Sequence, residues 1–313
     1  MTASRLPTPK IKGVLSPVLT PFHADGRPDP DRFARHCRWL LNQDVGLAVF
    51  GTNSEANSLT VAEKRGLLDG LLSQGTDAAR LMPGTGACAV PDAIELTRHA
   101  VAAGCAGVLM LPPFYYKGVS DEGLFRYFAQ VIDAVADERL RIYLYHIPPV
   151  SGVPIPLALI ERLLKTFGGL IAGTKDSSGD WTNTSAMLER FQPQGFDVFA
   201  GSETFLLATM RGGGAGCITA TGNVNPSKIV ELYRTWQNAD AHEQQKKLDE
   251  QRAAFAQFPM IPAMKSAIAL KTGRQDWIHV RPPLVELSDE QRVALGAALD
   301  QAGFSMPDAE QLA

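Results

Sequence analysis

Eight short apolar runs punctuate the chain, beginning near Gly13, Gly46, Arg80, Gly107, Arg141, Leu170, Phe196 and Gly214, and most are followed by a stretch of helical periodicity. Segments such as Gly46–Gly51 and Gly107–Leu111 are apolar at successive positions, the pattern of strands covered on both faces in a parallel sheet. Parallel neighbours need crossover connections, and the intervening stretches carry helix start signals. Asp29-Pro30-Asp31 precedes the stripe Phe33, Cys37, Leu40; Thr60-Val-Ala-Glu63 is a capping box; Ser120-Asp-Glu precedes Leu124, Phe128, Ile132. Successive runs are about 18 to 34 residues apart, which is one βα unit each.

Eight such units predict a closed (β/α)₈ barrel over residues 11–235. An open dinucleotide-binding sheet would carry G-x-G-x-x-G after its first strand, and Ser16-Pro-Val-Leu-Thr-Pro-Phe22 stands there instead. After Trp236 the periodicity becomes purely helical, over 240–258, 261–271 and 288–302. No Gly/Ser-rich linker separates this helical extension, residues 236–313, from the barrel, so its helices are expected to pack on the barrel or on a neighbouring subunit.

Composition narrows the partners. Of 313 residues 45% are hydrophobic and 20% charged, enough for a large core, and 30 Lys+Arg against 33 Asp+Glu give a net charge of −3. That is no footprint for nucleic acid or an anionic membrane surface, and a small-molecule partner is the expectation. Met1–Lys12 lacks the apolar stretch of a signal peptide, and the uncharged window Ala100–Tyr116 is broken by Gly104, Gly107, Pro112 and Pro113. A cytoplasmic protein without a membrane span is expected. The 4 cysteines show no C-x-x-C and the 6 histidines no H-x-x-x-H, so the thiols read as buried and free, and no sequence-local metal site is expected.

In such a barrel the working residues sit where each strand turns polar at its C-terminal end. Those ends are Thr20, Gly51–Glu55, Gly84–Gly86, Pro113–Tyr116, Tyr145-His146, Lys175–Ser177, Gly201–Glu203 and Thr219. The set is rich in hydroxyls and holds one lysine, Lys175, whose neutral amine is the form that attacks a carbonyl to make a Schiff base. A strand-end lysine paired with Asp176 or simply solvated is the bland alternative. Tyr145 can move protons beside the lysine, or be a half-buried packing residue. Thr52 and Asn53 can hold a carboxylate, or cap a turn. Gly212–Gly216 lacks the ending of a phosphate loop and precedes a strand, which predicts a helix C-cap and turn. His146 and Cys217 are read as structural, and Glu55 as bound to a backbone or hydroxyl group in its own loop rather than as a base.

Taken together, Gly51-Thr-Asn-Ser-Glu55 with Leu59-Thr60, Tyr145-x-x-Pro148 with Gly152, and Gly173-Thr-Lys175-Asp-Ser-Ser-Gly-Asp180 resemble the dihydrodipicolinate synthase/N-acetylneuraminate lyase family over about Ile11 to Pro283, with Arg281-Pro-Pro-Leu284 in the tail. The resemblance implies a (β/α)₈ barrel with a helical extension, usually a homotetramer, acting through a lysine Schiff base on pyruvate or another 2-oxo acid without metal or organic cofactor. It implies Lys175 as the Schiff-base lysine and Tyr145 as its acid/base partner. Tyr116, or Tyr115 if the loop is shifted, is implied as a tyrosine passed across a subunit interface to a proton relay. Thr52 matches the hydroxyl that links to the tyrosine and helps hold the 2-oxo acid carboxylate; Gly201 and Ile218 fall where backbone groups approach that ligand.

This chain departs from the family's G-T-T-G-E loop at Asn53 and Ser54. Val150 stands where the implied lysine-pathway synthases carry an arginine for the carboxylate of aspartate semialdehyde, and losing such a contact costs a few kcal/mol, on the order of 2 to 3. Asn53 and Lys175-Asp176-Ser177 look closer to 4-hydroxy-2-oxoglutarate aldolases, with Ser177 and Asn53 taken as substrate-binding. The expected function is therefore a Schiff-base carbon–carbon lyase or aldolase taking a 2-oxo acid and an aldehyde, as a homotetramer or homodimer. The rivals are dihydrodipicolinate synthesis, a 2-oxo-3-deoxy sugar acid dehydratase or aldolase, and a catalytically silent 2-oxo acid sensor.

Overall fold

The computed structural model describes residues 10–312; Met1–Pro9, where no signal segment is expected, and Ala313 lie outside the described residues. Seven parallel strands form one curled sheet: β1 Gly13–Ser16, β2 Gly46–Leu47, β3 Val108–Met110, β4 Ile142–His146, β5 Ile171–Asp176, β6 Asp197–Ala200 and β7 Gly216–Ile218, in the order β2-β1-β7-β6-β5-β4-β3. The third apolar run supplies the eighth stave without regular strand geometry. Met82 N donates to Leu47 O (2.8 Å) and Gly84 N to Val49 O (2.7 Å) on one side, while Leu109 N donates to Pro83 O (2.9 Å) and Thr85 N to Leu109 O (3.0 Å) on the other. The segment thereby joins β2 to β3 and closes the barrel. Its irregularity has two causes. Pro83 has no N–H to give the ladder, and Gly84 approaches the chain so closely that a Cβ there would lie 2.1 Å from Phe50 O.

Inside the barrel, Leu15, Ala48, Met82, Leu109, Tyr143, Phe199 and Ile218 form a packed core. Two larger apolar layers separate the sheet from the surrounding helices. The expected helix starts are realised: Asp29 caps Pro30–Asn42, Thr60 and Glu63 form a reciprocal capping box on Val61–Ser73, and Ser120 caps Asp121–Val135. Leu206–Arg211 ends at Gly212, and the following glycines turn the chain into β7, as the sequence predicts for this run.

The tail folds as helices Ala241–Ala256, Met260–Thr272 and Asp289–Gln301. Leu248, Phe255, Met264, Ile268 and Trp277 belong to the same apolar cluster as Phe33, Leu40 and Leu67 of the barrel helices, so the extension shares the barrel's outer core. Among the described residues no single helix is long and apolar enough to cross a membrane.

Candidate active site

Register builds the centre of the site. Tyr145 on β4 pairs with Lys175 on β5, and Lys175 with Phe199 on β6, so all three side chains project to the barrel interior at one level. Lys175 is 2% exposed. Its Nζ donates to Tyr145 Oη at 3.1 Å, and Tyr145 Oη lies 3.0 Å from Thr52 Oγ1. The three groups form one hydrogen-bonded chain at the floor of a cavity of about 540 Å³. The pairing of Lys175 with Asp176 allowed by the sequence is not made. Asp176 faces the other side of the strand, where its carboxylate accepts from Ser178 N (2.9 Å), Asn183 Nδ2 (3.0 Å) and Thr184 Oγ1 (2.7 Å). A buried amine with no carboxylate partner and an open face toward a cavity is the arrangement a carbonyl nucleophile needs.

Thr52, Asn53, Ser177 and Gly201 all line this cavity. The loop bearing Thr52 and Asn53 is a short 3₁₀ turn fixed by Ser54: Gly51 N donates to Ser54 Oγ (3.1 Å), and Thr20 Oγ1 donates to Ser54 O (2.7 Å). Ser177 N donates to His146 O and Gly201 N to Asp176 O, each at 2.7 Å. Gly201 is required by contact, since a Cβ there would lie 2.0 Å from Ser177 Oγ. Ile218 is different: its side chain is buried in the barrel interior and does not line the cavity. Tyr116 is 73% exposed and stacks edge-on with Tyr115 (centroids 5.4 Å apart), away from Lys175 within this chain. The loop carrying both tyrosines is held by Lys117 Nζ, which donates to Phe114 O and, at 2.6 Å, to Ser151 O.

His146 and Cys217 take no part in the cavity. Ile155 N donates to His146 Nδ1 at 3.0 Å, and burial lowers the imidazole's proton affinity. Burial pushes the Cys217 thiol well up from its ordinary value, which disfavours a reactive thiolate. Glu55 corrects the sequence reading: it leaves its own loop and binds the extension. Its Oε1 accepts from Lys265 Nζ at 2.5 Å, and its Oε2 from Arg281 N at 2.8 Å.

The far wall of the cavity comes from parts of the chain the sequence reading did not connect with chemistry. Phe205, Met260, Ile261 and Leu284 supply apolar surface, and Ser202, Thr204 and Arg252 supply polar groups. Arg252 had a legible signal. It stands at i+4 from Leu248 and i−3 from Phe255, two buried residues of Ala241–Ala256, so a cation lies on the core-facing stripe of its helix.

Comparison with known proteins identifies the family and the fold. A family model described as the dihydrodipicolinate synthetase family matches residues 10–302. A DapA-like lyase of Chloroflexus aurantiacus is 33% identical over 293 residues, covering 93% of this chain and 96% of that protein. The crystal structure of dihydrodipicolinate synthase from Agrobacterium tumefaciens superposes with a TM-score of 0.86 at 30% identity, over 93% of this chain and 99% of that one. YagE, a prophage protein from Escherichia coli K12 solved in complex with pyruvate, gives 0.85 at 28% identity, over 94% and 99%. With a closed barrel, a helical extension and a match spanning nearly its whole length, the chain belongs to the dihydrodipicolinate synthetase family of lyases and aldolases.

Proposed function

We propose that the protein is a class I lyase or aldolase that joins Lys175 to the C2 carbonyl of pyruvate or a related 2-oxo acid and makes or breaks the adjacent carbon–carbon bond. The observation that carries this reading is the buried Lys175–Tyr145–Thr52 chain at the cavity floor, with no carboxylate on the amine. The Lys175 amine adds to C2. Tyr145 gives a proton to the carbinolamine oxygen, water leaves, and the protonated imine remains. In the cleavage direction a base removes the proton of the C4 hydroxyl, and the C3–C4 bonding pair flows into the imine. An aldehyde departs and an enamine is left. Protonation at C3 and hydrolysis return pyruvate and the free amine.

Thr52 and Asn53, with Ser177, are the groups assigned to the C1 carboxylate, with the backbone at Gly201 and Ile218 alongside. Tyr116 is assigned to the site of a second copy of the chain, completing the proton relay through Tyr145. Its exposure beside Tyr115 and Val119 forms an apolar patch that suits burial in a homodimer or homotetramer. This chemistry uses no metal or organic cofactor, and the enzyme is assigned to the cytoplasm. The solved complex of YagE with pyruvate supports the choice of 2-oxo acid.

Borohydride reduction in the presence of pyruvate tests the mechanism: the expected product is a mass increment on the peptide containing Lys175. No adduct with any 2-oxo acid overturns it. Trapping the released aldehyde separates aldol cleavage from dehydration, which liberates none.

A further inference from the structure

Arg252 presents a cation to the cavity from the helical extension, while exposed Val150 lines the same cavity from the loop after β4. Its guanidinium is pinned through one nitrogen: Nη1 donates to Glu203 Oε2 at 2.8 Å and approaches Thr219 Oγ1 at 3.3 Å. Glu203 is 2% exposed and is itself fixed by the hydroxyls of Thr219 and Thr221, while Gln245 Nε2 donates to its backbone carbonyl at 2.9 Å. Among the described residues Nε and Nη2 of Arg252 make no hydrogen bond, and the side chain keeps 22% of its surface. A held guanidinium with free donors in a partly dehydrated wall is an anion-binding group.

The balance of donors and acceptors around the cavity points the same way. Both nearby carboxylates have their oxygens committed, Asp176 to Ser178, Asn183 and Thr184, and Glu203 to Thr219, Thr221 and Arg252. Asp249, one turn before Arg252, accepts from Gln245 Nε2, and burial together with Glu203 raises its carboxyl pKa. Among the charged side chains around the cavity, the unspent groups are donors, the Lys175 amine and the free edge of Arg252, while Asn53 and Ser177 add neutral polar groups. The same cavity is lined by apolar Ile147, Phe205, Met260 and Ile261. One anionic group of a 2-oxo acid is its C1 carboxylate, which the Thr52 loop is assigned to hold. A second cation on the same cavity calls for a second anion on the substrate.

We infer that Arg252 determines specificity by binding the distal carboxylate of the substrate, and that the enzyme takes 2-oxo dicarboxylic acids or their 4-hydroxy derivatives. Glu203 is a positioning residue that aims the guanidinium. The inference rests on the imine chemistry proposed above.

The test is borohydride trapping on the full-length protein with matched pairs: 2-oxoglutarate against 2-oxopentanoate, and 2-oxoadipate against 2-oxohexanoate. Each pair differs only by the terminal carboxylate. The half-saturating concentration is expected to be ~10- to 100-fold lower for the diacid of at least one pair, the range for a charge-assisted contact. Arg252→Gln is expected to collapse that ratio toward one and Arg252→Lys to recover part of it. The double variant Arg252→Gln/Glu203→Gln guards against misfolding, since it leaves no buried carboxylate without its partner. Equal half-saturation within both pairs in the wild-type protein, or a preference that persists in the Arg252→Gln and double variants, overturns this inference while leaving the imine chemistry standing. Absence of any adduct, pyruvate included, overturns the proposed function and this inference with it.

Discussion

Lys175 and Lys265 are the most deeply buried lysines among the described residues, and the contrast between them separates an amine open to a cavity from one closed in an ion pair. Lys175 and Lys265 are 2% and 0% exposed, and each side-chain nitrogen lies over an aromatic ring, Lys175 Nζ at 4.2 Å from the Tyr145 centroid and Lys265 Nζ at 4.5 Å from that of Phe22. Their polar partners differ. Lys265 has a carboxylate, Glu55, at 2.5 Å and the carbonyl of His279 at 2.7 Å. Lys175 has a phenol and a cavity. A buried ion pair with its remaining protons satisfied is inert, whereas an amine against a phenol has an open trajectory for a carbonyl and a proton donor beside it. Lys265 holds the Thr52 loop to the extension, and Lys175 faces the cavity that this loop lines.

Methionine at each position is the direct way to break the comparison, because it keeps the aliphatic bulk and removes the nitrogen. Lys175→Met is expected to lower kcat by ~10⁴-fold or more, the scale for removing a covalent nucleophile, with an unfolding midpoint close to wild type. Steady-state kinetics beside denaturant melts check both halves. Retained turnover would place the nucleophile elsewhere. Tyr145→Phe comes next: loss of general acid–base help should cost ~10²- to 10⁴-fold in kcat, and the Lys175 adduct should still form slowly under borohydride. An adduct forming at the wild-type rate would remove Tyr145 from the carbinolamine step.

Lys265→Met reverses the pattern. It strands the buried Glu55 carboxylate, and breaking such a pair costs about 3 to 5 kcal/mol in stability, readable as a lowered denaturation midpoint. The double variant Lys265→Met/Glu55→Leu should recover much of that loss, since no charge is then left unpaired. If the double variant is as unstable as the single one, the pair is not what holds this corner together.

The sequence could separate these lysines only in part, and the reason is geometric. Lys175 sits at the end of an apolar run, so the barrel rule alone places it at the C-terminal mouth of the barrel, and parallel register then sets Tyr145 beside it. Thr52 follows the same logic. Lys265 lies in Met260–Thr272, whose buried residues surround the helix on all sides, so periodicity assigns it no face. Its partner is 210 positions away in the chain. Arg252 and Glu203 meet across 49 positions, again from different elements, although the placement of Arg252 on a buried stripe was readable. Strand ends are legible because one local rule fixes both their depth and their direction. Contacts between barrel and extension depend on how separate helices dock, and no local pattern encodes that. The irregular third stave sits between these cases, since Pro83 and Gly84 announce a broken ladder without saying that the segment still closes the barrel.

A third tie between extension and barrel extends the comparison to the protein surface and gives the smallest effect. Arg281 clamps Glu63 with two nitrogens, at 2.5 and 2.9 Å, and also donates to Gly26 O and Ser58 O. The guanidinium holds the Glu63 carboxyl down at about 2 against a usual value of 4.5. A carboxyl depressed in the folded state stabilises fully above its unfolded pKa, and that contribution is lost as pH falls from about 4.5 through about 2. Solvent reaches this pair, so its worth is about 1 kcal/mol or less, unlike the buried Lys265–Glu55 contact. Unfolding midpoints of wild type and Glu63→Gln should therefore differ slightly at pH 6 and converge toward pH 2.5, with the difference at pH 6 shrinking in added salt. A gap that stays constant with pH and salt would mean that Glu63 acts through its capping bond to Thr60 N, at 2.9 Å, rather than through Arg281.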